Sequence, residues 1–165
     1  MSRLVATSMM VLALSTMGAL AQTAAPSPAE FTTQVSMANR FEIEEAELAL
    51  KQSSDEKVKT FAQLMIKDHT AAEKELESAA KASGAAPVAQ LDPAHHQLVD
   101  ALKGKSGVEF DKAYIADQLK AHSQAVELLT GFSASGGDPA LKAWAKSALP
   151  IVKTHLDHVR SMGAV

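Results

Sequence analysis

Four polar residues interrupt four otherwise apolar helical stripes: Glu42, His69, His122 and His155. Glu42 lies on a face with Val35, Ala38, Ala46 and Ala49. His69 continues Phe61 and Met65 at i+4 steps and leads to Ala72 and Leu76. His122 follows Ile115 and Leu119 and precedes Val126 and Leu129, while His155 stands between Val152 and Val159. An ionised glutamate on such a stripe costs several kcal/mol unless it is paired or bound to a metal. Three neutral imidazoles and a carboxylate suit zinc, iron, manganese or copper(II). Asp68, Asp111, Gln118 and Tyr114 are near enough in sequence to serve as extra ligands or as partners that orient the imidazoles. The same four groups could instead form a closed hydrogen-bonded network that fixes helix register, because a histidine on an apolar face is commonly a satisfied core residue.

The elements that must position these residues are all helical. Ser27-Pro28 reads as an N-cap and first-turn pair, opening a helix that runs to about Lys51. Ser53 and Glu56 have capping-box spacing and predict the start of a second helix, with Gly84 as its terminator. Asp92-Pro93 opens a short third helix ending near Lys103-Gly104. Ser106 and Glu109 form another capping-box pair before a fourth helix, which ends at the loop Ser133-Ala134-Ser135-Gly136-Gly137. Asp138-Pro139 caps the fifth, in which Pro150 removes one backbone donor and predicts a kink. No strand pattern, repeat or low-complexity tract interrupts this series. The reading is all-α: a four-helix bundle with a short extra crossover helix.

Heights within the bundle can be compared. At 1.5 Å per residue, Glu42 and His69 lie roughly 17 and 22 Å from the turn between the first two helices. His122 and His155 lie roughly 17 and 25 Å from the turn between the last two. In helices roughly 37 Å long, all four fall near the middle. One polar residue per long helix at a common level is the layout of a site built into a bundle core.

Composition sets the outer bounds. The chain has 165 residues, a net charge of −3 and no cysteine, so disulfides, thiolate metal sites and cysteine nucleophiles are excluded. No basic cluster points to nucleic acid. No phosphate-binding glycine loop, nucleophile elbow or H-E-x-x-H motif is present, and the reading leans away from an enzyme. Arg3, the apolar run Leu4 to Leu20 and Ala19-Leu20-Ala21 predict a signal peptide over residues 1–21, cut before Gln22. Residues 22–165 then form a single exported domain, periplasmic or secreted, with no membrane span. Four of the seven methionines would leave with the signal, depleting any methionine-rich copper site.

The motif Val58-Lys59-x-Phe61-Ala62-x-x-Met65-Ile66-x-Asp68-His69-Thr70 carries a family likeness. Phe41-Glu42-Ile43, Phe110-Asp111-x-x-Tyr114 before His122, and Leu149-Pro150 before His155-Leu156 fit the same pattern. Together they resemble the bacterial family called domain of unknown function 4142. The resemblance spans about Phe31 to Met162 and implies a ferritin-like, exported protein without an assigned activity. It does not carry a ferroxidase centre. That centre needs Glu-x-x-His on two helices, and Met65 to Asp68, Leu119-x-x-His122 and Val152-x-x-His155 lack it.

Two functions follow from these residues. One is an exported metal-binding bundle for storage, buffering or stress protection, with Glu42, His69, His122 and His155 as ligands. The other is a structural or interaction bundle of the envelope, acting as a homo-oligomer or with a protein partner, its polar core serving only to fix packing. A redox enzyme with an open metal position is a third reading. A b-type haem held by Met37 or Met65 with His155 ranks last, because an alanine-rich core predicts close helices and little room for a porphyrin.

Overall fold

The structure, a computed structural model, describes residues 25–163. The signal peptide expected over residues 1–21 lies outside them. Helix α1 spans Pro28–Gln52, and Ser27 forms a capping box with Glu30 in which each side chain meets the other's backbone N–H. Helix α2 spans Glu56–Ala82, with Asp55 as its N-cap accepting the Lys57 N–H. This corrects the expected box of Ser53 and Glu56. The Ser53 N–H is already used by the Ala49 carbonyl, and Glu56 pairs with Lys59. Gly84 follows α2 at φ 69°, a left-handed conformation suited to glycine.

Helix α3, Pro93–Lys103, is capped by Asp92. Helix α4 spans Gly107–Ser135 with Ser106 at its N-cap position. Ser106 makes no capping bond there, and Glu109 pairs with Lys105, so the second expected box is also absent. Helix α5, Pro139–Gly163, begins with the Leu141 N–H donating to Asp138 and continues through Pro150.

Two apolar cores fix the topology. One joins the start of α1 (Phe31), the end of α2 (Leu76, Ala80), the end of α4 (Leu129, Phe132) and the start of α5 (Leu141, Trp144). Phe31 and Phe132 stack there with ring centroids 3.7 Å apart. The other joins the end of α1 (Ala46, Ala49), the start of α2 (Val58, Phe61), the start of α4 (Phe110, Tyr114) and the end of α5 (Leu156, Val159). The α1–α2 and α4–α5 turns therefore lie at opposite ends. Packing runs α1 on α2, α2 on α5, α5 on α4 and α4 on α1, so each long helix has two antiparallel neighbours. Helices α2 and α4 run the same way, and the chain must return the length of the bundle between them. Helix α3 lies in that connection over α1 and α4, with Val99 and the preceding Leu91 packed near Phe41. One such crossover is the connectivity of ferritin-like bundles.

The middle of the bundle is not solid. A pocket of about 790 Å³ opens from the surface down to the buried Glu42, His69 and His155, beside the Phe31–Trp144 core, and is lined by all five helices. This corrects the expected slim core. Ala72, Ala121, Ala125 and Ala148 line the cavity, and their methyl groups are too short to fill it. The lack of room inferred against a bound porphyrin does not hold. Among the described residues, no helix is long and apolar enough to cross a membrane.

Candidate metal centre

The four residues singled out from the sequence meet in the middle of the bundle, all nearly or fully buried. Glu42 comes from α1, His69 from α2, His122 from α4 and His155 from α5. Glu42 Oε2 lies 2.6 Å from His69 Nε2, and Glu42 Oε1 lies 3.5 Å from His122 Nδ1. The shorter contact is an ion-pair approach without the angle of a directed hydrogen bond, because both atoms otherwise lack partners. The three imidazole rings stand 5.5–5.8 Å apart, centre to centre. One nitrogen from each can be chosen so that all three lie within 4.8 Å of one another; Glu42 is outside this set and adjoins it through His69 and His122.

Each imidazole is held from outside by an oxygen. His69 Nδ1 is 3.0 Å from Asn39 Oδ1. The Asn39 amide donates to Glu73, so its oxygen is left to accept from the ring. His122 Nδ1 donates to the Gln118 carbonyl at 2.9 Å. His155 Nε2 donates to Asp68 Oδ2 at 3.0 Å. These bonds fix the ring orientations and direct a proton to the outer nitrogen of each ring. Of the opposite nitrogens, all buried, His122 Nε2 and His155 Nδ1 have no polar partner, and His69 Nε2 has only the Glu42 carboxylate. A free lone pair on a ring whose other nitrogen is anchored is the arrangement of a metal-ligating histidine.

The charges divide sharply. Burial pushes the Glu42 carboxyl up, but His122 and His69 beside it more than offset this and hold it down to about 2. Burial alone would lower His69, yet the facing Glu42 carboxylate raises it above the ordinary imidazole value. His155 is lowered to about 4, chiefly by burial and against its bond to Asp68. The metal-free centre at neutral pH thus has an anionic Glu42 against His69, with His155 neutral.

The outer residues were only partly foreseen. Asp68 and Gln118 take the orienting positions expected of them, Gln118 through its backbone carbonyl. Asp111 stands about three turns before His122, is half-buried and bonds to none of the four. Tyr114 packs between Phe61 and Phe110, its hydroxyl buried without a partner. Asn39 and Glu73 were missed, and so was Glu45. The acidic residues at 44, 45 and 47 and at 73, 75 and 77 read as solvated faces. Glu45 is instead fully buried and accepts from Gln118 at 3.1 Å, and Glu73 is half-buried against Ser36 and Asn39. The available signal was helical spacing: Asn39 and Glu45 lie three residues either side of Glu42, on its face. His96 is exposed, whereas His95 is half-buried and bonded to Asp92 at 2.8 Å.

The family model described as "Domain of unknown function (DUF4142)" matches residues 13–162, and the chain belongs to that family. No curated protein matches it. Among solved structures it is similar to CopM in the Cu(II)-bound form, at 16% identity and a TM-score of 0.71, over 85% of this chain and 97% of that one. CopM in the Ag-bound form gives 17% identity and a TM-score of 0.68 over 83% and 95%. CopM in the Cu(I)-bound form gives 16% and 0.69 over the same shares. At these identities the likeness establishes the shared helical bundle.

Proposed function

We propose that this member of the DUF4142 family is an exported bundle that binds one divalent transition-metal ion in its core, for storage, buffering or stress protection. His69, His122 and His155 supply imidazole ligands and Glu42 the fourth, anionic one. The observation that carries this reading is three buried, convergent imidazole nitrogens, two without partners and His69 Nε2 facing the Glu42 carboxylate, while an outer oxygen holds the far side of each ring. A donor set of three imidazoles and one carboxylate favours copper(II) or zinc over manganese. The Cu(II)-bound form of the similar CopM structure supports a metal of this kind. Export rests on Arg3, the apolar run after it and Ala19-x-Ala21.

The test uses untagged protein from the envelope fraction, whose N-terminus is expected to read Gln22. Calorimetry on chelator-stripped protein at pH 7.5 should give one copper(II) or zinc ion per chain. His122→Ala or His155→Ala should weaken binding by more than tenfold. His95→Ala and His96→Ala should leave it unchanged. Absence of binding, or binding abolished by the His95 and His96 changes, overturns the proposal.

One observation favours a second reading. The chain Glu42–His69–Asn39–Glu73–Ser36 is continuous without an ion, as a register-fixing network requires. On that reading, chelator leaves the melting temperature of purified protein unchanged.

A further inference from the structure

An ion of any first-row metal fits between three imidazoles. The pocket beside them measures about 790 Å³, far more than a single ion occupies. Its size is that of a site for an organic molecule. Much of its wall is apolar: Val35, Ala72, Ala125, Leu129, Trp144 and Val152. Its charged groups are one-sided. Glu42, Asp68, Glu75, Asp92 and Asp117 line it, with Lys120 as the one opposing lysine or arginine. Counting His69 as protonated still leaves the acidic side in excess. Glu75 and Asp117 have no ion-pair partner among the described residues. Four wall residues carry buried polar atoms without a hydrogen bond: Glu42 Oε2 and His69 Nε2, which face each other, and His155 Nδ1 and Trp144 Nε1, which have no polar partner at all.

We infer that the cavity binds an amphipathic organic cation, its apolar body against the alanine, valine and leucine walls and its positive charge among the carboxylates. An apolar body accounts for the volume and the walls, which a metal ion does not use. A positive charge accounts for the sign of the lining. Trp144 adds an aromatic surface of the kind that attracts organic cations. Carboxylate-bearing ligands are disfavoured, and so is haem, because their acidic groups would meet acidic side chains. The inference stands apart from the metal reading, since it needs no ion in the centre.

A pair of probes of nearly equal size and opposite charge tests it: tetraphenylphosphonium and tetraphenylborate. Calorimetry is done at pH 7.5 on full-length mature protein in the presence of chelator, so that a failed metal site does not decide the result. Tetraphenylphosphonium should bind one per chain, at least tenfold more tightly than tetraphenylborate. Glu75→Gln with Asp117→Asn, at exposed and half-buried positions, should weaken the cation by about fivefold or more. Ala72→Phe, which fills part of the cavity, should weaken it by more than tenfold, with circular dichroism reporting whether that variant keeps its helices. If Ala72→Phe does not fold, the charge variant and the probe pair still decide. No binding of the cation, equal affinity for the two probes, or an unchanged affinity in the Glu75/Asp117 variant overturns the inference.

Discussion

At Glu45 the fold keeps a carboxyl group wholly out of water, with the Gln118 amide as its hydrogen-bond partner. Burial raises it to about 9, helped by Asp117 and Glu42 and opposed by the Gln118 bond. The consequence for stability has a definite sign. In the unfolded chain the group ionises near pH 4.5, whereas in the fold it keeps its proton to about 9. Folding therefore takes up a proton over that window, and stability falls as pH rises through it. Glu45→Gln removes the linkage while keeping the shape, and its new amide hydrogens can meet the unpartnered Gln118 Oε1. The variant should be more stable than the parent by about 2–3 kcal/mol at pH 7.5, with no gain at pH 4. Urea unfolding at the two pH values measures this, and an equal effect at both would exclude a protonated Glu45. Glu42 shows what was legible in the sequence at this scale and what was not. It breaks an apolar stripe, so spacing exposed it. Glu45 sits between Glu44 and Glu47, and a run of carboxylates reads as a wet surface. One-dimensional spacing does not record how far the neighbouring helix covers that face.

The helices themselves were largely written in their first and last turns, because proline, aspartate and glycine act locally there. Pro28, Pro93 and Pro139 each open a helix, and Gly84 follows the end of one. The error lay in choosing between neighbouring caps. Ser53 and Asp55 are both good N-caps, and the choice depended on which backbone N–H groups the preceding helix had already satisfied. With Asp55 as the cap, Asp55→Ala should cost about 1 kcal/mol. Glu56→Ala should cost less than about 0.5 kcal/mol, because its ion pair with Lys59 is exposed. Chemical denaturation of the two variants separates the alternatives. A larger loss at Glu56 than at Asp55 would restore the capping box. The capping box at Ser27 and Glu30 did form, so the motif is sound and its context decides. The direction of the crossover was beyond local signals. It depends on which ends of α1, α2, α4 and α5 share a core, a relation among residues more than a hundred positions apart.

The molecule is organised as two apolar ends holding a polar, partly hollow middle. Such a middle contributes little packing, so its groups should make stability responsive to metal and to pH. On the proposed function, a ligand from each long helix would make metal binding specific to the folded state. At a free metal concentration 1,000 times Kd, the stabilisation is about 4 kcal/mol, on the order of 10 °C in Tm for a domain of this size. Glu42→Leu separates the centre's two roles. Without metal it strips His69 of the anion that raises its pKa. The lost stabilisation belongs to protonated His69. It is present below the unfolded imidazole value of 6.5 and fades as pH rises through the raised folded value. The metal-free variant should therefore be less stable than the parent by about 1–3 kcal/mol at pH 6, with a smaller loss at pH 8. With copper(II) or zinc, the variant should gain much less in Tm than the parent, because the bound ion then lacks its compensating carboxylate. Thermal melts at pH 6 and pH 8, with metal and with chelator, give all four comparisons. An unchanged parent Tm with metal leaves the centre as a register-fixing network. A metal-induced rise as large in Glu42→Leu as in the parent removes Glu42 from the ligand set and leaves the three histidines to hold the ion.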